Sequence, residues 1–421
     1  MPSQNRSRLL SLLLAGALAV AGCGGPAPPP QESPTPGETP KPEGKIRIGA
    51  FMSLTGDTGQ YGLSASNGVT LAVEEINAKG GVGGRRVELI LQDTRSDTGE
   101  TVRVVERLVK EVKVHALLGE IVSSRSLAAA PVAQVAGVPM LTPSSTSVEV
   151  TAVGDYVFRS CYADPFQGAA IARFAAQSLR ARRAAMLLDR EQAYSIQLAQ
   201  SIHEAFVRQG GEFVAEEVYQ AGAADFSPQL LEINLAQPDV IFVPGYYLEA
   251  GLLTRQAREL GINVPLVGGD GWDSPRLFEI GGPALEGNYF SSHYAADDPD
   301  PLVQRFVEDY RRLFNATPDA FAATAYDAAR ILLDAVARAA SLERAAIRDA
   351  LAQTRDFPGV TGSVTFDSER NAVKQVSIIR IGQNGQLHFV ERVTPAQVAP
   401  TPSPTPSPTP QRRGRRSRRA R

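Results

Sequence analysis

Cysteine is almost missing from this chain, with Cys23 and Cys161 as the only two in 421 residues. A disulfide framework is therefore excluded, and stability must come from an apolar core. Histidine is scarce as well, at positions 115, 203, 293 and 388. No cluster of His, Cys and carboxylates has metal-ligand spacing, so neither a metal nor a cofactor is expected. A serine hydrolase needs a base beside its hydroxyl. His115 opens a strand at the end away from the loops, His203 lies mid-helix, and His388 falls on a terminal hairpin. The G-x-S-x-G elbow is absent too, which leaves an enzyme disfavoured. There is no G-x-G-x-x-G between a strand and a helix, and "SLTGDTGQYG" lacks the Lys-Ser/Thr ending of a phosphate loop. No internal repeat suggests a solenoid.

Long apolar runs are missing except at the start. Arg6 and Arg8 precede "LLSLLLAGALAVAG", which is short for a bilayer span and reads as a signal-peptide core. It ends in Val20-Ala21-Gly22-Cys23, a pattern resembling the bacterial lipobox, in which the cysteine carries lipid. Residues 1–23 are thus expected to be a lipoprotein signal, with Cys23 the lipidation site and the chain exported and anchored to the cell membrane. The Pro-rich stretch 24–44 is a tether that cannot pack. Residues 395–421, a Thr/Pro/Ser tract and an arginine run, are expected to be disordered. The formal net charge is −2, and the seven arginines after 411 with Arg6 and Arg8 contribute +9, so the rest carries about −11. A body that acidic is not expected to bind nucleic acid.

Hydrophobic residues make up 43% and charged residues 21%, the balance of an ordinary α/β protein, and the length implies two lobes. From Lys45 onward strands and helices alternate. "KIRIGAFMSL", "RVELILQD", "VHALLGE", "VPMLTP", "AAMLLD", "GEFVAEEVY", "DVIFVPG" and "VPLVGGD" read as strands. Helices are expected over 62–79, 98–111, after Ser124 and over 194–209. This is the order of βαβ units with parallel sheets. "GSVTFDSERNAV" and "VSIIRIGQNGQLHFVERV" read instead as antiparallel pairing, with Asn384-Gly385 a hairpin turn.

Ligands of such sheets bind where strands end and helices begin. Ser123 sits at one such junction, and Ser144, Ser145 and Thr146 at the next. Free backbone amides and the helix dipole point there, so the two loops form a cradle for a carboxylate. Ser123 can equally be a helix N-cap, or cap and contact at once. Asp270, in "VGGDGWD", can pair with an ammonium, while Tyr61, Tyr194, Tyr246, Trp272 and Phe321 supply apolar walls or ordinary packing. A carboxylate cradle facing an acid describes an α-amino acid site.

"IGAFMSLTGDTGQYG", "GVTLAVEEINAKGGVGGRRVELILQDTRSDT", "AAAPVAQVAGVPMLTPSSTS" and "FRSCYADPFQGAAIARF" resemble, in order and spacing, the leucine/isoleucine/valine-binding proteins of branched-chain amino acid ABC importers. The likeness runs from Lys45 to about Val393. It implies a periplasmic binding protein type I fold, in which two doubly wound parallel-sheet lobes are joined by a three-segment hinge. Lobe 1 would comprise 45–162 and 292–368, and lobe 2 163–291 and 369–394. By the same resemblance Ser123 and Thr146 hold the carboxylate by hydroxyl and amide, and the Ser144 carbonyl accepts from the ammonium. Tyr61 lines the pocket, Tyr194 and Tyr246 close over the ligand, Asp270 fixes the ammonium, and Phe321 bounds the side-chain space. Departures from the family's pattern surround the site. Glu120 and Arg125 either pair on the rim, or Glu120 recognises a second amine or hydroxyl; Trp272 fills space a larger ligand needs.

The implied function is a monomeric, lipid-anchored solute receptor delivering an amino acid, of branched-chain type, to ABC permease and ATPase subunits. The alternatives are a sensor domain of the same fold, or an amide or small carboxylic acid as the ligand.

Overall fold

A computed structural model describes residues 44–398. The signal segment, Cys23, the tether and the arginine run lie outside these residues.

The apolar runs read from the sequence become the inner strands of two sheets. The first has five parallel strands in the order Val87–Asp93, Ile46–Met52, Ala116–Gly119, Met140–Thr142, Val157–Arg159. Its strands are buried on both faces, as Ala50, Phe51, Leu117, Leu118 and Leu141 show by being fully inaccessible. The second has seven strands in the order Leu387–Val393, Val376–Ile381, Tyr289–Ser292, Leu266–Gly268, Val240–Val243, Arg183–Asp189, Glu212–Tyr219. Val376–Ile381 runs antiparallel to both its neighbours, to Leu387–Val393 as the terminal hairpin pattern implied and to Tyr289–Ser292 as well, and the remaining pairs are parallel. A small antiparallel sheet joins Phe357–Gly359, Gly362–Phe366 and Ala372–Val373.

The chain leaves the first sheet after Arg159 and builds the second up to Ser292. It then returns through helix Ala320–Arg338, which lies along helix Gly59–Ala78 beside the first sheet. Gly68 makes that contact close, since a Cβ there would lie 2.1 Å from the Ala322 carbonyl oxygen. Strand Val376–Ile381 then completes the second sheet.

Three strands escaped the sequence reading: the short Phe357–Gly359, and two in the large sheets that carry buried polar residues interrupting an apolar run. In Val157–Arg159 the fully buried Arg159 donates to the carbonyls of Ser145 and Ser147, to Thr151 and to Asn371. In Tyr289–Ser292 the buried Ser292 hydroxyl donates to Asp273 at 2.6 Å. The tract expected to be without structure from 395 begins with one helical turn, Pro395–Val398. Thr394 starts it, with its carbonyl accepting from the Gln397 amide, and Val398 packs near Tyr162 and Phe174. The helix expected to reach 111 ends as an α-helix at Arg107 and widens into a π-turn over Leu108–Val112.

Strand Ala116–Gly119 delivers the chain into the serine loop through Gly119, whose φ of 135° belongs to glycine and whose added Cβ would lie 2.1 Å from the Phe51 carbonyl oxygen. Gly119→Ala should therefore destabilise the chain by about 3 kcal/mol, as measured by urea denaturation; a loss within experimental error would mean that the loop relaxes freely.

Candidate functional site

Six loops, each following a strand of one sheet or the other, meet around one cavity of about 230 Å³. From the first sheet come Tyr61, then Ile121, Val122 and Ser123, then Ser144. From the second come Tyr194, Tyr246, Asp270 and Gly271, and Phe321 adds a wall from the start of its helix.

The serine loop is held by Glu120. Its fully buried carboxylate accepts from the Ser53 hydroxyl at 2.6 Å, the Thr94 hydroxyl at 2.9 Å, and the amides of Ile121 and Val122 at 2.7 Å each. Arg125 closes the ion pair at 3.4 Å, and both side chains are buried. Glu120 therefore does not reach the cavity, and its pairing with Arg125 is internal to the loop, not on a rim. Ser123 is the first residue of helix Ser123–Val135, following Val122 at the N-cap position. Its hydroxyl bridges to the next loop by accepting from the Ser147 amide at 3.3 Å. The Ser144 hydroxyl shares a hydrogen bond with Thr324 at 2.7 Å. The Thr146 hydroxyl is buried without a partner among the described residues, and Thr146 is not on the cavity lining.

Across the cavity Asp270 is fixed from behind. One carboxylate oxygen accepts from Gln167 at 2.6 Å, and the other lies 3.1 Å from His293 Nε2. Burial lowers the His293 pKa although Asp270 raises it, which favours the neutral ring. Gly269 and Gly271 let this loop approach Tyr194, whose hydroxyl accepts from the Gly271 amide at 3.1 Å. The Tyr194 ring stacks on Tyr246 at 5.2 Å. Tyr61 spans both sheets: its hydroxyl donates to the Gly271 carbonyl and accepts from the Tyr247 amide, and its ring meets Phe321 at 4.2 Å. Trp272 points away, with its indole nitrogen donating to the Val243 carbonyl at 3.1 Å, so it does not line this cavity.

A family model described as periplasmic binding protein matches residues 45–386. The chain belongs to that family. Among relatives of this periplasmic binding protein, the Leu/Ile/Val-binding protein BraC3 of Rhizobium johnstonii is 30% identical, over 78% of this chain and 89% of its own. The leucine binding protein LivK of Thermotoga maritima has a similar structure, with TM-score 0.80, 39% identity, and coverage of 83% of this chain and 99% of its own. LivJ of Streptococcus pneumoniae, solved in complex with isoleucine, gives TM-score 0.80 and 35% identity, covering 84% of this chain and 100% of its own. The architecture is the type I fold, with two doubly wound sheets.

Three residues of this binding protein's site were not singled out in the sequence. Gln167 and His293 orient Asp270, and His293 stacks on Tyr162 at 3.7 Å. Asp164 begins a helix directly after the overlooked strand Val157–Arg159, and neither of its carboxyl oxygens has a hydrogen-bond partner among the described residues. Its place after a strand end was the available signal. Burial pushes its pKa up to about 8, the nearby Thr146 hydroxyl opposes the rise, and the Asp270 charge adds to it. Cys161, buried and free, is pushed up to about 12 by burial and is an unreactive thiol.

Because the folded chain holds the Asp164 proton more tightly than the unfolded chain, that stabilisation is complete below the ordinary carboxylate pKa and is lost as pH rises toward 8. The ligand-free wild type should lose about 1 kcal/mol per pH unit relative to Asp164→Asn between pH 5 and 7, as read by urea denaturation. A difference independent of pH would mean that Asp164 ionises like a solvated carboxylate.

Proposed function

We propose that this protein is the substrate receptor of an ABC importer for branched-chain amino acids. It captures its ligand between two lobes, 45–162 with 292–368 and 163–291 with 369–394, and presents the closed form to a membrane permease. The observation that carries this reading is one cavity with Ser123 and Ser144 at strand-to-helix junctions on one side and a charged, oriented Asp270 on the other.

Ser123 and Thr146 take the carboxylate through hydroxyls and helix-terminal amides, an arrangement that needs no cationic side chain. The ammonium lies between Asp270 and the Ser144 carbonyl, with Asp164 close behind. Tyr61, Tyr194 and Tyr246 close over the amino acid backbone, and Phe321, Ile121 and Val122 set an apolar end for an aliphatic side chain. The names of the relatives, leucine- and isoleucine-binding among them, agree with that apolar end. The role is binding and release without turnover. Cys23 carries lipid, residues 24–44 hold the lobes off the membrane, and the ligand-delivering form is a monomer.

Isothermal titration of refolded protein with leucine, isoleucine and valine, and with their keto acids, tests this. Amino acids should bind at micromolar concentration or tighter and keto acids far more weakly. Asp270→Ala should cost about 2–5 kcal/mol of amino acid affinity, because it strands a buried ammonium. Equal binding of amino and keto acids, or an unchanged affinity in Asp270→Ala, would remove the ammonium from Asp270.

A further inference from the structure

A second and much larger cavity, about 1060 Å³ with its mouth included, opens on the other side of the Asp270–Ser274 segment. It plays no part in the amino acid site. Its apolar wall is aromatic and aliphatic: Trp272, Leu277, Phe278, Leu285 and Phe290 line it. Two buried carboxyls face into it from different elements, and a third, Asp297, lies exposed on the lining. Asp273 accepts from the Ser292 hydroxyl, and Asp319 accepts from the Ser64 hydroxyl while capping helix Ala320–Arg338 through the Ala322 amide. Among the described residues neither buried carboxyl has an ion-pair partner, and Arg311, the guanidinium that acts on Tyr294, is engaged with Thr317 on the lining.

The third feature is Tyr294. It also lines the cavity, is 6% exposed, and its buried hydroxyl has no hydrogen-bond partner among the described residues. A buried hydroxyl without a partner is destabilising, and a ligand atom beside it would offset that cost. The chemistry required of an occupant follows: an apolar body for the aromatic wall and a cationic donor for the carboxyls and the hydroxyl.

We propose that this cavity is a second ligand site, which takes a small hydrophobic amine with its ammonium at Asp273, Asp319 and Tyr294. Burial pushes Asp273 up to about 7, with Asp319 adding to the rise, and pushes Asp319 itself up to about 6. Such a pair favours holding one proton between the two groups, and a single ammonium balances the charge that remains. The absence of a carboxylate cradle separates this ligand from an amino acid. Ser123 and Ser144 line the first cavity and not this one, where Ser274 and Thr317 are the non-aromatic hydroxyls and Ser274 is taken up in capping its own helix.

Titration of the full chain at pH 6.5, where the pair holds one proton, with 2-phenylethylamine, 2-phenylethanol and 3-phenylpropionate decides the matter. The amine should bind saturably, the alcohol at least tenfold more weakly and the acid not at all. Asp273→Asn, and separately Ala296→Trp at the partly exposed cavity mouth, should each weaken the amine at least tenfold. Saturating leucine should leave amine binding unchanged, which keeps this test independent of the amino acid reading. No saturable amine binding, equal binding of the alcohol, retention in Ala296→Trp, or displacement by leucine would each overturn the proposal.

Discussion

The buried carboxylate of Glu120 is the interaction on which the binding face depends. A charge removed from water is tolerable only when its lone pairs are filled. Glu120 meets that condition with two hydroxyls, two backbone amides and Arg125. Meeting it ties the ends of three neighbouring strands together, since Ser53 and Thr94 follow the first and second and Glu120 follows the third. The amides of Ile121 and Val122 are thereby consumed, and the helix that starts at Ser123 presents its next amides to the cavity. Arg159 does the corresponding work one loop further on, holding the carbonyls of Ser145 and Ser147. The cradle is rigid because two buried charges are satisfied by its backbone.

The opposite face is governed by a shortage of positive charge. Asp270 and Asp164 lie near the same cavity, with no Lys or Arg among its lining residues. The groups that touch Asp270, Gln167 and His293, orient it without neutralising it. A ligand that supplies an ammonium there and a carboxylate to the helix termini completes both halves at once. It also ties them together, because one half is built on the five-stranded sheet and the other on the seven-stranded sheet. In the proposed function, closure and ligand selection would draw on the same contacts.

Much of this was legible in the sequence because parallel sheets obey a simple rule: ligands collect where strands give way to helices. Both junctions picked out on that basis reach the cavity through Ser123 and Ser144, and the candidates Tyr61, Tyr194, Tyr246 and Asp270 also stand on its lining. Reading failed where direction mattered more than position. Glu120 and Trp272 stand beside cavity residues in sequence, yet one turns inward to hydroxyls and amides and the other to the Val243 carbonyl. Neither orientation has a signature in residue spacing. Asp164, Gln167 and His293 were missed because strands Val157–Arg159 and Tyr289–Ser292 are too short and too polar to show an apolar run. Their buried polar side chains are paired by residues distant in the chain, which local pattern cannot reveal.

The most direct measurement is a crystal structure of the chain with leucine bound. The account predicts the leucine carboxylate within hydrogen-bond distance of Ser123 and Thr146, the ammonium on Asp270, and the isobutyl group against Phe321. Leucine with its ammonium turned from Asp270, or seated outside the loops that carry Ser123 and Asp270, would contradict it.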